Sequence, residues 1–145
     1  VADTAVALIA CYHEGEEGLA LESSVTAGED FGGCTFIRQT NGLDAACGLV
    51  ACLHAVLNSA PCLKDCSGKL AEISACMKVK SPEERGQELE NDTVLHEVYL
   101  DLASRGQSSL PEDEDSVRCH YVALLPRPEC HLLLLDGERV APIVL

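Results

Sequence analysis

The sequence predicts an α+β fold, a central antiparallel β-sheet flanked by helices, on three observations. Residues 5–12 (AVALIACY) form a continuous apolar run of strand length. Residues 45–58 are apolar on nearly every side, the pattern of a central buried helix. Near the other end, residues 119–125 and 131–136 are two apolar runs around a Pro-containing break, which reads as a hairpin.

The elements follow in order. Residues 14–30, rich in Gly, Ser and acid, read as a solvated loop with a short edge strand at 18–21. Residues 35–39 (TFIRQ) form a second strand candidate. Residues 41–44 make a turn, since Asn-Gly supports positive φ and Asp44 is suited to cap the helix that follows. After a break at 61–67, residues 69–78 form a short amphipathic helix. Ser81-Pro82-Glu83-Glu84 combines an N-cap Ser, Pro at N1 and Glu at N3, a capping box. Residues 91–104 form another helix whose apolar stripe is Val94, Val98 and Leu102, with Leu95 and Tyr99. Residues 106–115 (GQSSLPEDED) are an acidic connection.

At 145 residues the chain is expected to be a single domain spanning 1–145. Apolar residues at 47% and charged residues at 23% exclude wholesale disorder. With 3% aromatics and no Trp, the core must come mainly from Leu, Val and Ala. Ten Lys+Arg against 24 Asp+Glu exclude a nucleic-acid binder, which needs a basic face, and favour a partner with a basic surface. No apolar run approaches the roughly 18 residues of a membrane span. The nine cysteines are odd in number, and Cys11, Cys52 and Cys76 sit in apolar sequence. Free, partly buried thiols in a reducing compartment, the cytoplasm, are therefore expected. Cys62, Cys66 and Cys76 with a His are the best metal candidates, but their spacing is not a standard zinc pattern, so no metal is expected. The chain begins at Val1 without Met, which reads as a fragment.

Among these thiols Cys47 stands out. It lies at the first turn of the buried helix, where exposed N–H groups and the helix dipole favour a thiolate, and Gly48 leaves room for a substrate backbone. The alternative is a packed core thiol like Cys52. A thiol nucleophile needs a histidine base and a group that orients it. His54 shares the helix face but lies about 10 Å along the axis, too far to act. His13 and His96 read as surface residues. His120 begins one hairpin strand and Asp136 ends the other. With a three-residue loop at 127–129 the two are directly opposed, close enough for an imidazole–carboxylate hydrogen bond. Asp136 before Gly137 equally fits a turn-forming Asp. In that register the competing histidine, His131, faces Leu125 at the loop end. Gln39 offers a donor amide for an oxyanion.

Residues 35–40 (TFIRQT), Ala46-Cys47-Gly48, Leu53-His54-Ala55-Val56 with Asn58, residues 81–85 (SPEER), the helix to Gln107, His120 and Asp136-Gly137 together resemble the ubiquitin C-terminal hydrolases. That family consists of papain-like thiol proteases, and the resemblance covers nearly the whole chain. It implies a papain-like fold with Cys47 as nucleophile, His120 as general base and acid, Asp136 as orienting carboxylate and Gln39 as oxyanion donor. His54 matches a family histidine that is not the base. Residues 106–115 fall at the family's crossover loop, which restricts the leaving group to small or unfolded adducts. Gln39 and Cys47 are further apart than in the family, with residues 41–44 resembling a two-residue insertion, and strict spacing would make Asn41 the oxyanion donor.

Both ends are shorter than in the family, so truncation, a missing last strand and an incomplete ubiquitin surface are expected. The implied activity is hydrolysis of an ester, thioester or amide at the C-terminal Gly of ubiquitin or a ubiquitin-like protein. It needs no cofactor or metal, and the protein is expected to be a monomer. The alternative is a catalytically impaired, ubiquitin-binding fragment.

Overall fold

The structure, a computed structural model, describes residues 5–13, 33–43, 46–106, 119–128 and 132–145. Its strands β1 (Leu8–His13), β2 (Cys119–Leu125), β3 (Leu133–Leu135) and β4 (Ile143–Val144) form an antiparallel sheet in the order β1-β2-β3-β4. A 3-10 turn at Asn41–Leu43 leads towards α1 (Cys47–Leu57), followed by α2 (Ala60–Leu63), α3 (Gly68–Met77), α4 (Pro82–Asn91) and α5 (Thr93–Ser104). The expectations for residues 14–30, for Asp44 as a cap, for 107–115 and for His131 lie outside the described residues.

Helix α1 is buried on two sides, as its all-round apolar sequence predicts. Ala55, with Phe36, packs on Ala123, Leu125, Leu133 and Leu135 of the sheet. Val50, Leu53 and Leu57 meet Ile37, Leu43, Ile73, Met77 and Leu89 in a second cluster beneath α3 and α4. The opposite sheet face carries Val122, Leu134 and Ile143 with Ala10, Tyr12 and Leu124.

Helix α4 starts where the sequence places it. Glu84 N–H donates to the Ser81 hydroxyl, and Ser81 N–H donates to the Glu84 carboxylate. Asp92 caps α5 by accepting from Leu95 N–H at 3.0 Å, and its carboxylate also holds Lys69 at 2.7 Å.

Several expectations fail, each for a physical reason. The run 5–12 is not a buried strand: among the described residues β1 pairs with β2 alone, and Leu8 and Ile9 are exposed. Apolar content alone does not separate an exposed strand from a buried one. Residues 35–39 take no place in the sheet. Their backbone bonds to other elements instead: Arg38 N–H donates to the Pro82 carbonyl, and Arg85 donates to the carbonyls of Phe36 and Met77. Gly42 has no positive φ; the Glu90 side chain lies over its Cα, where a Cβ would stand.

On α5, Val94, Val98 and Leu102 are exposed, whereas half-buried Leu95 packs on the core. A four-residue spacing marks a helix face without saying which face meets a neighbour. Of the thiols expected to be partly buried, Cys11 and Cys52 are exposed and Cys76 is half-buried; every cysteine among the described residues is free. The stretch after Asp136 supplies β4, which pairs Leu133 with Val144 and Leu134 with Ile143.

Gly86 sits inside α4, where glycine ordinarily costs about 1 kcal/mol relative to alanine. Here the Arg38 carbonyl passes so close that a Cβ would collide with it. Gly86→Ala should therefore lower stability by about 2 kcal/mol or more in urea denaturation, against the usual gain of such a substitution in a helix.

Candidate active site

Along the hairpin, Ala123 pairs with Leu135, Leu124 with Leu134 and Leu125 with Leu133. Continued outward, this register places Asp136 opposite Val122, so the expected direct opposition to His120 is wrong by two residues. The ladder ends at Leu125 and Leu133, which leaves a longer connection than three residues. A shift of two keeps the facing of every side chain, whereas a shift of one would reverse it. The pair therefore meets on the diagonal, with His120 Nε2 donating to Asp136 Oδ1 at 2.8 Å.

Both groups are buried, at 3% and 5% exposure, and a buried carboxylate is costly unless its oxygens are matched. Asp136 Oδ1 also accepts the Glu138 N–H at 3.1 Å, and Oδ2 accepts from Arg139 Nε at 3.2 Å. The Glu138 contact is that of a turn-forming Asp, so Asp136 makes both contacts that the sequence left as alternatives. Tyr12, opposite His120 on β1, sets its ring edge-on to the imidazole with centroids 5.5 Å apart. With Nε2 engaged by Asp136, Nδ1 is the other ring nitrogen. Glu138 Oε1 lies 3.6 Å from it.

Cys47 is the first residue of α1, half-buried, and the Ala46 cap makes no side-chain hydrogen bond. The free N–H groups of the first turn thus lie at the thiol. A Cβ on Gly48 would lie 3.7 Å from Tyr121 Cδ2, so α1 begins beside the start of β2. Cys47, His120 and Asp136 consequently share one end of the sheet. They do not all touch: among the described residues no hydrogen bond joins Cys47 to His120. Tyr121 faces α1, whereas His120 faces the side of Tyr12 and Val122. Burial, followed by the Cys11 thiol, pushes the Cys119 thiol up; a hydrogen bond to Cys11 does the same to the Tyr121 hydroxyl.

The Gln39 main chain donates to the Gly137 carbonyl at 2.7 Å, and its side-chain Nε2 donates to the Leu43 carbonyl at 3.1 Å. Leu43 O also accepts from Ala46 N–H at 3.0 Å, so Gln39 is tied both to the Asp136 turn and to the entry of α1. Among the described residues its Oε1 is buried without a hydrogen-bond partner. Asn41 is exposed and lines, with Arg38, Gln39, Thr40 and Glu138, a polar cavity of about 410 Å³. Both candidate oxyanion donors therefore border one space.

His54 is fully buried and stacked on Phe36 with ring centroids 5.3 Å apart. Its Nε2 accepts the Ile37 N–H at 2.8 Å, which places any ring proton on Nδ1. Burial lowers its pKa to about 4. This histidine holds residues 35–39 against α1. Among the described residues no group of three or more His, Cys, Asp or Glu is placed to hold a metal, Cys62, Cys66 and Cys76 included. None of the described helices is long and apolar enough to cross a membrane.

A sequence profile described as "Ubiquitin carboxyl-terminal hydrolase, family 1" matches residues 2–145. The chain belongs to this family. It is 33% identical over 112 residues to a ubiquitin carboxyl-terminal hydrolase of Aplysia californica, covering 75% of this chain and 50% of that one. A Drosophila melanogaster ubiquitin carboxyl-terminal hydrolase is 36% identical over 104 residues, covering 68% and 42%. The chain thus spans about half the length of the relatives it matches. Among solved structures, the catalytic domain of Trichinella spiralis UCH37 bound to ubiquitin vinyl methyl ester superposes with a TM-score of 0.71 at 23% identity, over 99% of this chain and 60% of that one. The fold is the α+β, papain-like fold of the family.

Sequence reasoning missed Tyr12, Glu138 and Arg139. The last two lie within three residues of Asp136 in an Asp-Gly turn, which is signal enough to include them. Tyr12 becomes visible only once β1 is registered on β2.

A neutral His54 makes stability depend on pH. In the unfolded chain it takes up a proton below about pH 6.5, and in the folded state only near 4. Its contribution is complete above about 6.5 and is lost as pH falls towards 4, by up to about 3 kcal/mol. Urea denaturation across that range should show the decline, and His54→Gln, although less stable throughout, should lose this part of the slope.

Proposed function

We propose that the chain is the core of a thiol-dependent hydrolase that cleaves an ester, thioester or amide at the C-terminal Gly of ubiquitin or a ubiquitin-like protein. The observation that supports it most is the buried His120–Asp136 pair at the sheet end where α1 begins with Cys47. Ubiquitin as partner draws support from the UCH37 relative, whose structure is a complex with a ubiquitin derivative. A net charge of −14 suits a basic protein partner through steering of the encounter.

In this reading Asp136 fixes the His120 ring, and Nδ1 takes the Cys47 proton. The Cys47 sulfur attacks the Gly carbonyl carbon, while the Gln39 or Asn41 amide, with backbone N–H groups at the start of α1, holds the oxyanion. His120 returns the proton to the leaving atom as its bond to carbon breaks, then activates the water that releases the acyl group. Cys47 and His120 must come within hydrogen-bond reach for this, and such contacts are often long without substrate and tighten on binding. Residues 1–145 act as one catalytic domain, and free thiols suit the cytoplasm.

Cys47→Ser should abolish turnover of a fluorogenic C-terminal ubiquitin amide while the fold persists by circular dichroism. An electrophilic ubiquitin C-terminal probe should add to the wild type at Cys47 by peptide mass mapping. Unchanged turnover in the variant would eliminate the nucleophile assignment. Ubiquitin binding without labelling would mark the chain as a non-enzymatic ubiquitin-binding module instead.

A further inference from the structure

The geometry points to Cys119 as a resolving thiol for Cys47: when a hydroperoxide oxidises Cys47, Cys119 captures it as a disulfide that closes the site until a thiol reductant reopens it. The effect on turnover rests on the hydrolase reading above; the sulfur chemistry itself does not.

The pair follows from how α1 lies on the sheet. Helix and strand run the same way: Ala55 packs on Ala123 and Leu125, and a Cβ on Gly48 would lie 3.7 Å from Tyr121 Cδ2. A step back along α1 from Gly48 to Cys47 therefore goes with a step back along β2 from Tyr121. Side chains on one face of a strand recur every second residue, about 6.6 Å apart, so the next one on the α1 face is that of Cys119. Cys11 shares this face, because it pairs with Tyr121 while Cys119 pairs with His13. Three thiols thus stand round the Tyr121 ring. Cys47 acts electrostatically on both Cys119 and Tyr121, and Cys11 acts on the same two.

Their surroundings set the order of events. Cys47 is half-buried at the first turn of α1, where free N–H groups favour the thiolate, the form that attacks a peroxide. Cys119 is exposed to reagents, and the desolvation that remains, followed by the Cys11 thiol, pushes its thiol up. It therefore stays protonated and reacts with peroxide more slowly than Cys47. Cys119 also belongs to the terminal pair of the β1–β2 ladder, where a strand end frays at little cost and can carry the sulfur across to Cys47.

The chemistry takes two steps. The Cys47 thiolate attacks a peroxide oxygen, the O–O bond breaks, and water or an alcohol leaves. The sulfur has then lost two electrons and is a sulfenic acid. The Cys119 sulfur attacks the Cys47 sulfur, the S–O bond breaks, and the departing hydroxide takes the Cys119 proton and leaves as water. A thiol of high pKa is a strong nucleophile once ionised, and here the attack is intramolecular. Without it, a second peroxide carries Cys47 to the sulfinic acid, which thiols do not reduce. Two equivalents of a thiol reverse the disulfide by exchange.

Treating the reduced chain with hydrogen peroxide and alkylating the remaining thiols tests this, by peptide mass mapping and by turnover of the fluorogenic ubiquitin amide before and after dithiothreitol. The wild type should give a Cys47–Cys119 linked peptide and lose turnover that dithiothreitol restores. The readout for variants is the fraction of turnover recovered, in which any change in basal activity cancels. Cys119→Ser should recover about three-fold less than the wild type or worse, as its Cys47 passes to the sulfinic acid. Cys11→Ser should recover like the wild type. A wild type without the Cys47–Cys119 peptide, a Cys11–Cys119 peptide with Cys47 left reduced, or full recovery in Cys119→Ser would overturn the role of Cys119 and leave the hydrolase reading standing. The linked peptide in a chain that never turns over the amide would overturn the hydrolase reading and leave the thiol pair standing.

Discussion

The main chain from Thr35 to Gln39 crosses the interior without a β-partner, and its buried N–H and C=O groups must still be satisfied. Three elements share the task. Asn58 and His54 of the α1 region hold Thr35 and Ile37, Pro82 and Arg85 of α4 hold Arg38 and Phe36, and Gly137 after β3 takes the Gln39 N–H. An imidazole that accepts a buried main-chain N–H in this way has to stay neutral, in keeping with a pKa that burial lowers to about 4. The same clamp sets where Gln39 stands relative to Asp136 and to the start of α1.

From that clamp the candidate site follows in layers. The sheet delivers His120 and Asp136 to one end, and Gly137 lets the Gln39 segment pack close beside the turn. A Cβ on Gly137 would come within 2.9 Å of Val50 Cγ1 and 3.3 Å of Gln39 Cβ. Asp136 then orients the imidazole while anchoring its own turn through Glu138 and Arg139. The result is a carboxylate whose oxygens are both matched and a buried histidine whose second nitrogen lies 3.6 Å from Glu138.

How much of this was legible in the sequence depended on how local the determinant was. The α4 cap could be read directly, because a capping box is decided within four residues. The bounds of β2 could be read because its apolar run is closed by Pro126. The His120–Asp136 contact was reached through a register wrong by two, and it held because facing depends only on whether the offset is odd or even. What failed depended on neighbours distant in sequence. The exposure of Leu8 and Ile9 on β1 is set by what lies beside them, and the exposed stripe of α5 by which of its faces meets the core. The backbone partners of residues 35–39 lie as far away as Arg85 and Gly137. Gly42 and Gly86 looked like a turn former and a weak helix residue, yet both make room for another segment.

Arg85 gives the helical half of the molecule a reach that its distance from the thiol conceals. Its guanidinium holds the Met77 carbonyl at the end of α3 and the Phe36 carbonyl in the clamped segment, at 2.7 and 2.8 Å. An opening fluctuation that lifts α4 off the core must break these bonds together with the one between Arg38 and Pro82. Such an opening frees the Arg38 amide, whereas the Ile37 and Gln39 amides stay held by His54 and by Gly137. Loosening of α4 thus reaches the residue next to Gln39 without any strand having to part.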